Sequence, residues 1–197
     1  MVPPKPKRRT TPADKREAIL DAALDLFVEL GYHGTAVPQV AQRAGVGAGT
    51  IYRYFDSKEG LVNALYQTHK EQVARELLQN FPADAPAREQ FARFWACMRR
   101  FVEEHPRAFA FLELHHHASY LDDQSRKVEA RLREFTTAFI LHTQERGEIK
   151  RMDPNVLIGI VLGAFIGVVR QSWEGYLELS AEAFEQAERC CWEAIRI

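Results

Sequence analysis

Along most of the chain the apolar residues recur at three- and four-residue intervals, the spacing of one face of an α-helix. Ile19, Ala22, Ala23, Leu26, Phe27 and Leu30 form the first such run, and Gly31 closes it. Thr35 is placed to cap a second helix that ends near Ala44, before Gly45. A third, very short helix is expected from Ala48 to Tyr54. Ser57 can cap a fourth, which carries Leu61, Val62, Leu65 and Tyr66 on one face and ends near Asn80. The Pro-rich FPADAP step follows, and it is the expected domain boundary.

Beyond that step Phe91, Phe94, Trp95, Met98, Phe101 and Val102 make an aromatic stripe that stops near His105–Pro106. A short helix is expected from Arg107 to Ser119. Asp122 can cap a longer one, with Val128, Leu132, Phe135 and Phe139 facing inward, until Gly147 and Asp153–Pro154 break it. An apolar helix then runs to about Gly175, and a last one starts at Ser180 with Phe184, Ala187, Cys191 and Ile195 on one side. No segment alternates with a period of two. The fold class is therefore all-α, with about nine helices.

Residues 44–61, AGVGAGTIYRYFDSKEGL, break the pattern of a packing helix. A helix built only to be buried avoids Gly, which costs roughly 1 kcal/mol relative to Ala. Helix two, the GVG turn and helix three together have the form of a helix-turn-helix, whose second helix enters the DNA major groove. Ile51 and Phe55 are four apart and, with Val40 and Val46, can form the buried side. Gly49, Thr50, Tyr52, Arg53 and Tyr54 are then turned outward to varying degrees. Gly49 permits close backbone approach, and the hydroxyls of Thr50, Tyr52 and Tyr54 suit phosphate oxygens. Lys58 adds its charge to the positive end of the fourth helix.

The composition adjusts this picture in three places. The formal net charge is -1, so no global field marks a nucleic-acid partner. Residues 1–16, however, hold Lys5, Lys7, Arg8, Arg9, Lys15 and Arg16 against Asp14 alone. Residues 1–12 read as a basic disordered arm, either a solvated tail or an arm for phosphates or a minor groove. The three cysteines, Cys97, Cys190 and Cys191, are not a disulfide framework, and no secretory signal pattern is visible. The longest uncharged stretch, Val156 to Val169, falls short of the roughly 20 residues a bilayer needs. A cytoplasmic protein with no membrane partner is expected.

At this point the residues resemble a known family. The pattern G-Y-x-G-T-x-V-x-x-V-A-x-x-A-G-V-x-x-G-T-I-Y-x-Y-F-x-S-K-E-x-L, Gly31 to Leu61, is similar to the DNA-binding domain of the TetR/AcrR family of bacterial transcription regulators. The resemblance covers Ala13 to Leu65; the rest matches by length and helicity. It implies a helix-turn-helix domain at 13–58, a linking helix at 57–80, and a ligand-binding and dimerisation domain at 81–197. It implies a homodimer on a palindromic double-stranded operator, usually a repressor, released by an unidentified small-molecule effector. Carried onto matching positions, Thr35, Thr50, Tyr52, Tyr54 and Lys58 hold the DNA backbone. Gln42, Arg43, Ala48, Gly49 and Arg53 lie where base or further phosphate contacts fall. Two positions depart from the pattern: Gly47 replaces a capping Ser, and Pro38 replaces a residue that is often polar.

Phe94, Trp95, Met98, Phe101, Phe111, His115, Phe139, His142 and Phe165 are the expected pocket, suited to a hydrophobic or aromatic effector. Trp173, Tyr176, Phe184, Cys191 and Ile195 are the expected dimer face, with the subunit's own core as the competing reading. Gly159, Gly163 and Gly167 mark a face for close packing against a helix or a ligand. His115, His116 and His117 read as core or interface histidines, as pocket-lining residues, or as part of a metal site. Three consecutive helical residues cannot all face one ion, so no metal and no cofactor is expected. No Gly-x-Ser-x-Gly, His-Glu-x-x-His or phosphate-binding loop is present, which argues against an enzyme. The alternatives are a helical-bundle enzyme using the histidine cluster, or a structural DNA-binding protein without a ligand.

Overall fold

A computed structural model describes residues 11–79, 81–114, 117 and 119–197. The basic arm residues 1–10, together with His115 and His116, lie outside the described residues. Among the described residues the elements are α1 (Pro12–Gly34), α2 (Val37–Arg43), α3 (Ala48–Ile51), α4 (Lys58–Leu78), α5 (Ala87–Glu104), α6 (Pro106–Leu114), α7 (Asp123–Glu145), α8 (Pro154–Trp173) and α9 (Ala181–Ile195). Their one β feature is an isolated bridge between Ile149 and Arg196. The all-α reading holds.

Helix ends follow local chemistry. Thr11 and Asp14 close a reciprocal cap on α1, so Thr11 and Pro12 belong to that helix and not to the arm. Gly31 adopts φ 70°, a left-handed conformation that kinks α1 where the apolar run stops. Ser57 Oγ accepts the Gly60 N–H at the start of α4, Asp153 caps α8 and Ser180 caps α9. The expected cap at Thr35 is not made. Ala36 holds the N-cap position of α2, and its N–H donates to the Gln39 side chain instead.

The chain forms two compact units: residues up to Thr68 together with Arg107–Asp122, and His69–Pro106 together with Asp123–Ile197. The first unit buries Ile19, Ala23, Phe27, Val40, Ile51, Leu61 and Val62 almost completely, and α6 adds Phe109 and Phe111 at 1% exposure. Phe111 tilts against Phe27, with ring centres 6.2 Å apart. By contacts, the segment 107–122 thus groups with the helix-turn-helix and not with its chain neighbours α5 and α7.

The second unit is built on an aromatic row. Phe91, Trp95, Phe165 and Phe184 follow one another with ring centres 5.1 to 5.9 Å apart. Arg88 of α5 forms a two-pronged ion pair with Glu188 of α9 at 2.5 and 3.1 Å. Gln90 holds the Pro-rich step by donating to the carbonyls of Pro82 and Ala83. α8 is 20 residues long, longer than the uncharged stretch alone suggested, and long and apolar enough to cross a membrane by composition. Only 17% of its apolar window is buried, so most of that surface is uncovered in a single chain.

Candidate nucleic-acid interface

α2 and α3 are short and poor in self-sufficient packing; α2 packs on α1, and α3 packs on α2. Val40 and Ile51 are buried at 0% and 1%, Phe55 at 6%, and Val46 is half-buried, which matches the expected inner side. Gly45 turns the chain between α2 and α3 at φ 66°, where only Gly is at ease. Pro38 sits in the first turn of α2, where its missing N–H costs nothing. Gly47 offers no side-chain cap to α3, which closes after one turn at Ile51 and continues as turns through Tyr54. The reading helix is therefore shorter than the expected span to Tyr54.

The expected contact residues divide by what their polar groups already touch. Gln42, Ala48, Gly49, Tyr52 and Arg53 are exposed, and Thr50 and Tyr54 are half-buried. None of the polar side chains among these has a hydrogen bond or ion pair within the described residues. A Cβ on Gly49 would meet nothing within 4 Å, so the fold itself does not require glycine there. Thr35 is different. It is 2% exposed, and its hydroxyl is aimed at the Leu26 and Gly31 carbonyls at 3.0 and 2.8 Å. Thr35 caps the end of α1 and is not a surface ligand.

Two cations are also engaged. Arg43 donates to both carboxylate oxygens of Glu29 at 2.7 and 3.0 Å and lies 4.0 Å from Asp25. That hydrogen-bonded pairing holds the Glu29 carboxyl below its ordinary value and raises the Arg43 guanidinium. Asp25 also accepts from Arg107 at the start of α6. Lys58 stands with its ammonium 4.2 Å from the ring centre of Tyr32. The Tyr32 hydroxyl donates to Glu59. Burial, with the Glu59 carboxylate beside it, pushes the Tyr32 phenol up to about 12. Glu29 carries no signal in the sequence, and Tyr32 and Glu59 enter only as letters of the Gly31–Leu61 pattern, since their partners lie on other elements at no regular spacing.

Elsewhere the expected sites separate. Trp95, Met98, Phe101 and Phe165 are buried in the second unit, and Phe94 and Phe139 are half-buried there. Phe111 belongs to the first unit against Phe27, and His142 is exposed, so neither joins that aromatic row. His115 lies outside the described residues. An open cleft of 560 Å³ in the second unit is lined by Leu141, Gln144, Glu145, Arg151, Met152 and Asp153, none of them an expected pocket residue. His117, just beyond the end of α6 at Leu114, is 6% exposed, as the reading of a core histidine expects. Among the described residues no three His, Cys, Asp or Glu side chains are grouped to hold a metal ion.

The expected dimer face also changes. Phe184, Cys191 and Ile195 are 1%, 6% and 6% exposed and belong to their own subunit's core. Trp173 and Tyr176 remain exposed at 41% and 78%. The uncovered apolar surface lies on α8, where Val156 and Ile160 are 48% and 41% exposed. Gly159, Gly163 and Gly167 are exposed on the same helix, with open space where each Cβ would stand.

A helix-turn-helix with an open reading helix, joined to a larger helical unit, defines a DNA-binding transcription regulator of the two-domain helical class. Residues 19–65 match the family model described as bacterial regulatory proteins, tetR family, and residues 66–197 match the tetracyclin repressor-like C-terminal domain. The chain belongs to the TetR family. It is similar to the uncharacterized HTH-type transcriptional regulator YhgD of Bacillus subtilis, 25% identical over 82% of this chain and 85% of that protein. The HTH-type transcriptional regulator RutR of Escherichia coli is 41% identical over a shorter match, 44% of this chain and 37% of RutR. Among solved structures, a TetR family transcription regulator from Marinobacter aquaeolei superposes with a TM-score of 0.81 at 25% identity, over 92% of this chain and 95% of that one.

Proposed function

We propose that this protein is a homodimeric repressor that binds a palindromic operator through Gln42, Ala48, Gly49, Thr50, Tyr52, Arg53, Tyr54 and Lys58. The observation that carries this reading is that the side chains of Gln42, Thr50, Tyr52, Arg53 and Tyr54 have no hydrogen bond or ion pair among the described residues, while Lys58 lies against the Tyr32 ring. Groups left free in this way gain most from phosphate oxygens and base edges. The half-sites then lie one helical turn apart, about 34–36 Å, or a multiple of it.

The second copy is the occupant that best suits the uncovered face of α8. Its glycines let another helix approach closely, and its length of apolar surface is explained by a protein partner without a membrane. The effector is a small hydrophobic or aromatic molecule received near Trp95, Met98, Phe101 and Phe165. The Trp95 indole N–H supports this, since it is buried and has no hydrogen-bond partner among the described residues. Such a donor costs stability unless something accepts from it. The protein works in the cytoplasm and catalyses no reaction; its effector acts by preferring the arrangement that does not fit DNA.

Selection of duplexes from a random-sequence pool by the full chain, followed by footprinting with competitor DNA at two salt concentrations, tests this reading. A selected palindrome that survives competitor is the expected outcome. Recovery of unrelated sequences, with binding lost to competitor and salt alike, would sink it.

A further inference from the structure

Lys58 owes its position to a stack of aromatic rings. Its ammonium lies 4.2 Å from the centre of the Tyr32 ring. The Tyr120 ring lies 4.3 Å from the same centre, with the two planes 22° apart. Tyr120 stands on the turn between α6 and α7, more than sixty positions along the chain from Lys58. We propose that Tyr120 is a positioning residue for the phosphate contact of Lys58, acting through the ring of Tyr32. The inference rests on the DNA-binding reading above.

Tyr120 is well fixed for this task. Its carbonyl accepts from Asn63 Nδ2 at 2.8 Å, and Asn63 Oδ1 accepts the Asp122 N–H at 2.9 Å. One amide of α4 thus grips the turn on both sides of Leu121. The Tyr120 hydroxyl meets His117 Nδ1 at 2.7 Å. His117 Nε2 faces the Phe111 carbonyl, which can only accept, so the ring proton sits on Nε2. In the neutral ring Nδ1 is then the acceptor, and the Tyr120 hydroxyl donates to it. Tyr32 is fixed in turn, because its hydroxyl donates to Glu59. That bond also engages the Glu59 carboxylate, which follows Lys58 in the chain and feels its charge.

A lysine on a flexible four-carbon stem loses rotamer freedom when it meets a phosphate. A ring that already holds the ammonium in place removes part of that loss before DNA arrives. Without Tyr120 the Tyr32 ring keeps Phe27 and His33 beside it but loses its nearest stacked neighbour, and Lys58 contributes less to binding.

The test uses the full chain and a duplex that the wild-type protein has selected. Binding is measured across a salt series for Lys58→Ala, Tyr120→Leu, Tyr120→Phe, Asn63→Ala and the Lys58→Ala/Tyr120→Leu double variant. Loss of one phosphate contact lowers the slope of log K against log salt by roughly 1 per reading head. Lys58→Ala and Tyr120→Leu should each show that loss, the double variant should bind no worse than Lys58→Ala, and Tyr120→Phe should keep the wild-type slope. General destabilisation would lower the melting temperature and leave the slope unchanged. Should Tyr120→Leu fail to fold, Asn63→Ala must show the same loss of slope. A wild-type slope in Tyr120→Leu, or in Asn63→Ala standing in for it, overturns the inference, as does a Tyr120→Leu loss that adds fully to that of Lys58→Ala. A wild-type slope in Lys58→Ala overturns it as well, yet leaves the DNA-binding reading intact. Failure to select any duplex sinks that reading itself.

Discussion

Two arginines near the reading helix look alike in the sequence and differ in the fold. Arg53 is exposed with no partner among the described residues, whereas Arg43 is held by Glu29 in a two-pronged pair. Arg53→Ala should therefore weaken binding to a selected duplex by about 1–3 kcal/mol. Arg43→Ala should weaken it much less, because DNA would first have to take Arg43 from Glu29. Fluorescence anisotropy titrations of both variants decide this; equal losses would mean that the ion pair does not withhold Arg43. The Tyr32–Glu59 bond makes a prediction about pH. The Tyr32 pKa is raised, so its share of stability is complete below its ordinary value near 10 and lost as pH climbs through about 12. The Glu59 pKa is lowered, chiefly by the Tyr32 hydroxyl, so its share is complete above the usual carboxylate range and lost as pH falls through the lowered value. The difference in melting temperature between wild type and Tyr32→Phe should thus stay flat across neutral pH and shrink in acid. A difference that changes steadily through neutrality would count against the bond.

At the scale of elements, what could be read from the sequence was what depends on near neighbours. Ser57, Asp153 and Ser180 cap the helices they precede, and Gly31, Gly45 and Gly147 stand at positive φ where helices stop. The inner side of the helix-turn-helix was legible for the same reason, since Ile51 and Phe55 are one turn apart. Apart from the cap expected at Thr35 and the length of α3, what failed depended on which side of a helix meets which partner. Phe184, Cys191 and Ile195 form a clean apolar stripe, and the stripe alone cannot say whether its partner is α8 of the same chain or another subunit. Phe184 stacks on Phe165 of its own chain, 5.6 Å between centres. Two substitutions separate the faces. A Cβ added at Gly163 meets nothing within 4 Å among the described residues, and Gly163→Leu favours the helix by roughly 1 kcal/mol, yet it blocks a close helix approach. It should turn a dimer into a monomer, read by light scattering, without lowering the protomer's melting temperature. Phe184→Ala should instead cost about 3–5 kcal/mol of stability by opening the core. A Gly163→Leu protein that stays fully dimeric would show that the glycine face is not the interface.

For the molecule as a whole, the informative feature is that chain order and contact order disagree. Residues 107–122 lie between α5 and α7 in the chain but cluster with α1 to α3 and with α4 up to Thr68. The reasons are specific: Phe111 on Phe27, Arg107 on Asp25, and Asn63 gripping the turn after α6. None of these pairings follows any period, so nothing in the sequence announces them. If they carry free energy, α6 must open with the head and not with its chain neighbours. Native-state hydrogen exchange with rising denaturant measures this directly. The amides of α6 should merge with those of the α1 core, Ile19 to Phe27, at one opening free energy. Those of α5 and α7 should merge at a separate value. The head would then be a cooperative unit that includes a segment borrowed from the middle of the chain, and removing residues after Thr68 would strip the head of part of its core. If α6 instead exchanged with α5, the division into two units would be geometric only, and a fragment ending near Thr68 should fold unaided.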